Sequence, residues 1–500
     1  MRADATPPSI VNLLAGLSKA DIFARPSSAV TSGARRLEAG FYGSEGYRAL
    51  QAMEVSGFQI GRVGELAGVR WLGPFSRVYV EDHKAGIPFL SSSDMMVTRL
   101  DPKNYVSRAC THKLEQVIVH EGTILISRSG TIGNVAICTK DYEGLAVSEH
   151  AIRVDPYIDI DRGALYVFLL SNLGQFLVTR NKSGSVIESI YAADVESLPV
   201  PRLPIGLRKK ISECIELASE LRTKANVLLD EAEASVQTEC ALPSVQQHVT
   251  VLRPNELTRV NTFVCSSAER LNAFGGFGAA RLDVTYHDPA AVALAKSILN
   301  RKDGTTLGKV LKGVRNSTLR KRNYVDGPAN GVPMLGGKQI GQWRPSEVKY
   351  LSKALTRNLV NEVVEAGWTL VSCGGTLGRT LFVHRNLEGA AVSQHVMRLI
   401  PNTAKVWPGF VFAYLTSYWG QIQLMQRGYG SVIPELRDFQ FNSIAIVTPA
   451  DKGKRIHDLV VAAYDARAEA KEAEDEAVSL FMLAIERGRE ATEQDWGRDY

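Results

Sequence analysis

The chain is short of the features that would make it a membrane protein, a disulfide scaffold or an enzyme of a familiar kind. No run of eighteen apolar residues occurs in its 500 positions, so no helix long enough to cross a bilayer is expected. The N-terminus lacks a basic stretch leading into an apolar one, which argues against a secretory signal. The six cysteines, Cys110, Cys138, Cys214, Cys240, Cys265 and Cys373, include no Cys-x-x-Cys pair and no histidine at zinc-finger spacing. Reduced thiols and a cytoplasmic location are the expectation. Gly308, Gly337 and Gly453 each precede a lysine, but no serine or threonine follows, so there is no phosphate loop. The Asn-Pro-Pro-aromatic motif of an amino-methyltransferase is also absent. Net charge is only +5, yet it is unevenly spread. Asp465 to Tyr500 holds eleven acidic and five basic residues, which leaves the preceding body at +11, a balance that suits a polyanion-binding surface.

What the chain does have is a copy of itself. Arg36-Leu37-Glu38 returns as Arg281-Leu282-Asp283, 245 residues on. Gly86-Ile87-Pro88-Phe89-Leu90 returns as Gly331-Val332-Pro333-Met334-Leu335. Ser129-Gly130-Thr131-Ile132-Gly133 returns as Gly374-Gly375-Thr376-Leu377-Gly378, and Ala146-Val147-Ser148-Glu149-His150 as Ala391-Val392-Ser393-Gln394-His395. Gly184-Ser185-Val186-Ile187 is identical to Gly430-Ser431-Val432-Ile433, one residue out of step. A near-constant offset over so long a span means duplication.

Each copy predicts the same elements. A strand over 123–127 or 369–372, a Gly-rich turn, and a strand over 135–138 or 380–383 form a hairpin. A third strand follows at 151–154 or 396–400, then one apolar helix at 165–176 or 410–424. The Gly-Ser-Val-Ile segment reads as a loop and short strand. A proline-rich piece, 198–204 or 444–449, is expected to end regular structure. Helices then run over about 208–236 and 453–487, with narrow apolar stripes at three- and four-residue steps, the pattern of a coiled-coil seam.

In this order, twice, before matched helices, the motifs resemble the specificity subunit of type I restriction-modification systems. The resemblance spans nearly everything from Arg36 to Arg487. It implies an α/β (α+β) fold of two tandem target recognition domains, each followed by a long helix, the helices pairing as an antiparallel coiled coil. The boundaries expected are an N-terminal extension over 1–30, domains over 31–205 and 246–450, helices over 206–245 and 451–490, and a tail over 491–500. The extension precedes the family's usual start, and the first helix lacks the short tandem repeats of some relatives. The resemblance also implies double-stranded DNA as partner, with two DNA adenine methyltransferase subunits and a motor-nuclease subunit. It places S-adenosylmethionine, ATP and magnesium on those partners, leaving this chain without cofactor, metal or chemistry of its own.

Candidate DNA-contacting residues lie where the copies differ between repeated frames. Arg, Lys, Asn and Gln suit base edges and phosphates. The first copy offers Ser92, Ser93, Asp94, Lys103, Asn104, Arg108, His112 and Lys113; the second offers Lys338, Gln339, Gln342, Arg344, Lys349, Lys353, Arg357 and Asn358. Arg128, Asn134 and Arg379 flank the Gly-rich turns, which fit a tight hairpin and a phosphate contact equally well. Lys182-Ser183 and Arg427-Gly428-Tyr429 precede Gly-Ser-Val-Ile. Arg315, Arg320, Lys321 and Arg322 form a basic cluster. His150 and His395 recur in both copies and read as structural histidines bonded to a turn. A magnesium nuclease reading rests on Asp326 and Glu347-Val348-Lys349, without counterpart in the first copy. An assembly scaffold without DNA readout is a third reading.

The first long helix carries a quantitative expectation as the spacer between two readers. Four inserted residues advance a helix by roughly 6 Å and rotate it about 40° beyond a full turn. One base pair advances a duplex by about 3.4 Å and rotates it by about 34°. A four-residue insertion near Thr223 should therefore lengthen the unread gap by about one base pair and leave both half-sites intact. A one-residue insertion turns the seam by about 100° and should disrupt pairing. Mapping methylated sites genome-wide for each variant decides between a ruler and a passive link.

Overall fold

In the computed structural model, the described residues are 45–81, 84–102, 104–180, 188–245, 264, 281, 283–317, 321–430 and 432–497. The chain divides into two compact units. One comprises residues 1–96, 100–220 and 471–500; the other comprises 97–99 and 221–470.

The two units repeat one topology. In the first, strands Ala67–Arg70, Ala151–Pro156, Ile124–Ser127 and Val135–Ile137 lie in that order in an antiparallel sheet. In the second the order is Leu311–Arg315, Val396–Pro401, Thr369–Ser372 and Thr380–Phe382. A smaller sheet accompanies each: Tyr79–Val80, Asn104–Ser107, Gly86–Leu90 and Ala146–Val147, or Tyr324–Val325, Lys349–Ser352, Gly331–Leu335 and Ala391–Val392. Its last two strands are parallel in both units. The central strands are fully buried, Ile124, Leu125 and Ile126 in one and Leu370 and Val371 in the other. This is why their sequences read as short continuous apolar runs.

One arginine at the same place in each unit ties the sheets together. Arg153, fully buried, donates from Nη1 to Ala151 O (3.1 Å) and from Nη2 to the carbonyls of Val117, Val147 and Ser148. Burial, with Arg70 nearby, pulls its pKa down to about 10. Its counterpart Arg398, 245 residues on, donates to Asn361 O at 2.5 Å and is likewise lowered by burial.

Three expectations need correction. The apolar helix is two helices in each unit, Asp159–Leu170 with Asn172–Arg180, and Pro408–Thr416 with Tyr418–Arg427. The break falls on Ser171 and Ser417, both in extended backbone, each hydroxyl donating back to the preceding helix. Gly174 and Gly420 allow the second helix to touch the end of the first: a Cβ there would collide with Phe168 O or Tyr414 O. Nor do the prolines end regular structure. Pro199–Pro201 pairs with Ile60–Arg62, and Ala445–Val447 with Gly304–Thr306, as two-stranded ladders. Proline is compatible with such edges because only one side of the strand must bond. Finally, the Gly-Ser-Val-Ile segment of the second unit forms no strand among its described residues; Tyr429 and Glu435 bridge across its base. The first-copy segment lies outside the described residues.

The long helices are Ile205–Glu239 and Ala450–Arg487. Compactness does not stop where they begin, because each unit takes in part of both. In the first unit Leu207, Ile211, Cys214 and Ile215 share one core with Ala477, Phe481, Ala484 and Ile485. In the second, Ala225, Leu229, Ala232 and Val236 share a core with Ile456, Val460 and Ala463. There the helices run antiparallel: Arg467 bonds Asn226 (3.1 Å), while Lys452 and Arg455 pair with Glu239 (3.5 Å each). None of the five described cysteines is in a disulfide, and no helix among the described residues is long and apolar enough to cross a membrane.

Gly174→Ala should destabilise the first unit by about 1–3 kcal/mol, because the obstacle is backbone and cannot swing aside. Gly73→Ala, where a Cβ meets nothing closer than Trp71 at 3.9 Å, should stay within about 0.5 kcal/mol. Urea unfolding of both variants measures the contrast.

Candidate nucleic-acid interface

The Gly-rich turns are built identically in both units. Gly130 and Gly133 have φ of 78° and 85°, and Gly375 and Gly378 both have 78°, so the glycines answer a left-handed backbone. Ser127 Oγ accepts from Asn134 N, and Ser372 Oγ from Arg379 N, both at 2.9 Å. Behind the turn, Gln175 Nε2 donates to Gly133 O (2.8 Å) and Leu169 O (2.6 Å). Gln421 does the same to Gly378 O (3.0 Å) and Leu415 O (2.6 Å). These glutamines, 246 residues apart, place the turn on the broken helix; the repeat offset alone could have revealed them.

The turn meets the strand-like chain that follows Gly-Ser-Val-Ile. In the first unit Ser129 bridges Ser189, and Ile190 N donates to Arg128 O (3.1 Å). In the second, Gly374 bridges Glu435, Gly375 N donates to Pro434 O (3.0 Å), and Leu436 N to Cys373 O (2.9 Å). His150 Nδ1 shares a 2.8 Å hydrogen bond with Ser129 Oγ, whereas His395, facing Gly374, has Gln394 Nε2 at 3.1 Å from its Nε2. The turn, the histidine and the base of the following loop thus form one edge in each unit.

Several candidates belong to the frame rather than to that edge's open chemistry. Asp94 accepts from Ser91 N (2.8 Å) and Ser91 Oγ (2.7 Å), and Ser93 Oγ bonds Ser91 Oγ (2.8 Å). Gln339, at the equivalent place, accepts from Gly336 N (3.0 Å) and donates to Ser346 O (3.3 Å). Gln342 is buried and accepts from Ser346 N. Lys113 and Asn358 both adopt positive φ, 58° and 54°, at the start of equivalent 3-10 turns. Lys353 Nζ donates to Pro328 O (3.2 Å) and Ala329 O (3.3 Å).

Arg427 is a correction. It is buried, and it donates to Ser443 Oγ (2.9 Å), Gln423 O (3.0 Å), Gln426 Oε1 (2.8 Å) and Ser443 O (3.1 Å). Burial brings its pKa down to about 10. Its backbone carbonyl accepts from Arg281, which also forks onto Asp283 and stacks on Tyr286 at 4.5 Å. Arg281 and Asp283 therefore form a clasp on the end of the second broken helix. Tyr429 is also engaged, its hydroxyl accepting from Arg437 Nε (2.5 Å) and donating to Glu435 (3.2 Å).

Other candidates remain at the surface. Ser92 is half-buried, and Arg108 and His112 are exposed near the smaller sheet. In the second unit, Lys338 is exposed, 3.9 Å from Glu347, and its carbonyl accepts from Arg379 Nη1 (3.4 Å). Arg344 is half-buried, Arg357 and Lys321 are exposed, and Arg315 ends an edge strand beside Asn316. Lys103, Lys182, Ser183 and Arg320 lie outside the described residues. In the proposed nuclease set, Glu347 faces Lys338, and Lys349 lies over the Tyr324 ring at 5.3 Å. Among the described residues no group of three or more His, Cys, Asp or Glu could hold a metal.

The units differ most in how they compensate arginines. In the first, Arg77 pairs with Glu149 at 3.0 Å. In the second, Arg322 occupies the place of Arg77 but Gln394 replaces the glutamate, and Arg322 Nη2 is buried without a partner among the described residues. Arg128, which in the first unit lies over Trp71 and Tyr191 at 4.5 and 4.9 Å, likewise has a buried Nε without a partner among the described residues. Trp71 and Tyr191 were not singled out by sequence, since the contact joins residues 57, 63 and 120 positions apart.

A sheet-and-turn frame thus occurs twice, with matched scaffolding and different cations at the same edge. Residues 57–216 match the family model of the type I restriction modification DNA specificity domain. Three solved structures are similar to the chain over most of its length. The type I restriction-modification S subunit from M. genitalium is 10% identical, with 86% of this chain and 95% of that one covered, at a TM-score of 0.30. The HsdS subunit from Thermoanaerobacter tengcongensis is 15% identical, with 86% and 97% covered, at 0.25. A structure described as underlying complex assembly and conformational transition of the type I R-M system is 14% identical, with 88% and 97% covered, at 0.26. No curated protein matches.

Arg427→Ala should lower the stability of the second unit by on the order of 3 kcal/mol, since it strands several buried acceptors, and should leave the salt dependence of DNA binding unchanged. Lys338→Ala and Arg379→Ala should do the reverse, each reducing the slope of log K against log salt by about 1. Thermal melts and salt titrations on one duplex separate the two behaviours.

Proposed function

We propose that this chain is the DNA-reading subunit of a type I restriction-modification complex, or of a related methylation-based defence complex. Each unit reads one half of a split site in double-stranded DNA. The observation that carries this reading is the twice-built edge: the backbone frame and the serine and glutamine bonds behind the turn repeat, while the side chains it presents differ. Common positions serve a common frame, and differing ones suit two different half-sites. The long helices are the surface on which two adenine methyltransferase subunits dock, with a motor-nuclease subunit joining that assembly. S-adenosylmethionine, ATP and magnesium act on those partners in the cytoplasm, and this chain supplies recognition alone.

Two experiments test the reading. The purified chain, incubated with DNA and magnesium, should neither cut nor methylate; turnover lost in Glu347→Ala would favour the nuclease reading instead. Replacing residues 37–200 with the matching unit of a relative should change one half of the methylated site and preserve the other. A change in both halves would show that the units do not read independently.

A further inference from the structure

Three places recur in the two units with the same backbone partners and different side chains. Arg128 N donates to His150 O, and Cys373 N to His395 O, both at 2.8 Å. Ile190 N donates to Arg128 O and Leu436 N to Cys373 O, so Tyr191 and Arg437, the next residues, also correspond. Arg70 pairs with Arg153 and Arg315 with Arg398, so Trp71 and Asn316 correspond in turn. The set Arg128, Trp71 and Tyr191 of the first unit is thus Cys373, Asn316 and Arg437 in the second.

The first set holds a planar cation against two rings. Trp71 is fixed by its Nε1–H donating to Glu149 O at 2.7 Å and meets Tyr191 edge-on at 5.9 Å. Among the described residues, the Arg128 guanidinium makes no hydrogen bond and no ion pair, and its Nε is buried. The Nη groups are not among the buried unpartnered atoms and have no acceptor among the described residues, so they are open to an acceptor outside the unit. Contact with the two rings holds the cation in place while leaving its Nη N–H groups for a bidentate acceptor. The second set offers nothing comparable. Cys373 is buried, its thiol pushed up to about 12, and lies 3.9 Å from Asn316 Nδ2. Arg437 is engaged by Tyr429 and is 3.8 Å from Glu435.

We infer that Arg128, held by Trp71 and Tyr191, reads a guanine edge in the half-site of the first unit. A phosphate is the other acceptor that fits the fork. The two half-sites share the same phosphate backbone, however, so a phosphate contact at this shared position would be expected in both units. The chemistry is present in one only, and a base contact is what should differ. The inference rests on the DNA-reading function proposed above.

The test is selection from a randomised duplex pool by the full chain, purified with any subunits that accompany it from its source cell. Wild type should enrich a split site with guanine at one position of one half. Arg128→Gln should lose discrimination for that guanine by about 10- to 100-fold and move preference towards adenine, with the other half unchanged. Arg128→Lys, which keeps the charge but not the fork, should retain only part of the preference. Trp71→Phe should preserve the base preference and Trp71→Ala should weaken it without changing which base is preferred, as expected of a positioning residue. Uniformly weaker binding with every base preference intact would overturn the inference in favour of a phosphate contact. Loss of folding in both Arg128 variants would overturn it in favour of a structural clamp. If wild type itself enriches no site, the DNA-reading function fails first.

Discussion

Everything at the reading edge depends on a charge buried where charges are rarely tolerated. Arg153 and Arg398 reach from the central sheet of their units to backbone carbonyls beside the smaller sheet. Removing a guanidinium from water is costly unless its donors are satisfied. Here backbone carbonyls accept from the Nη groups, while the Nε of each arginine is buried without a partner among the described residues. The exchange locks two sheets at one relative position, and with them the hairpin turn on one sheet and the histidine-bearing segment joining the other. A shift of either sheet would separate Ser129 from His150 and Gly374 from His395.

On this base the unit is rigid where it must match and variable where it must differ. Gln175 and Gln421, Ser171 and Ser417, and Gly174 and Gly420 repeat in both identity and bonding. Arg77–Glu149 against Arg322–Gln394, and Arg128 against Cys373, are exchanges of charge at constant backbone. The proposed reading of two unlike half-sites needs this division, because the frame must present side chains to the same grooves whichever bases they meet.

Much of the frame was legible in sequence. Strands, hairpin turns and long helices follow from apolar runs, paired glycines and narrow stripes, and each occurs near its expected place. The broken helix was not legible, because Ser171 and Ser417 are ordinary helix residues by propensity and only the close approach at Gly174 and Gly420 shows the break. Asp94, Gln339 and Arg427 looked like DNA contacts by residue type. Their atoms are consumed inside the unit, a matter of partners that residue type does not disclose.

The sequence by itself determined that the chain is a duplication, that each copy has one frame, and that long helices accompany the copies. Periodicity and offset are one-dimensional properties, so a sequence holds them completely. Which polar side chains remain available was decided only by tertiary structure. Compensation of a charge depends on neighbours distant in the chain, such as Trp71 and Tyr191 around Arg128, or Gln394 where Arg322 would meet a glutamate. Folding brings those neighbours together, and no local pattern records them.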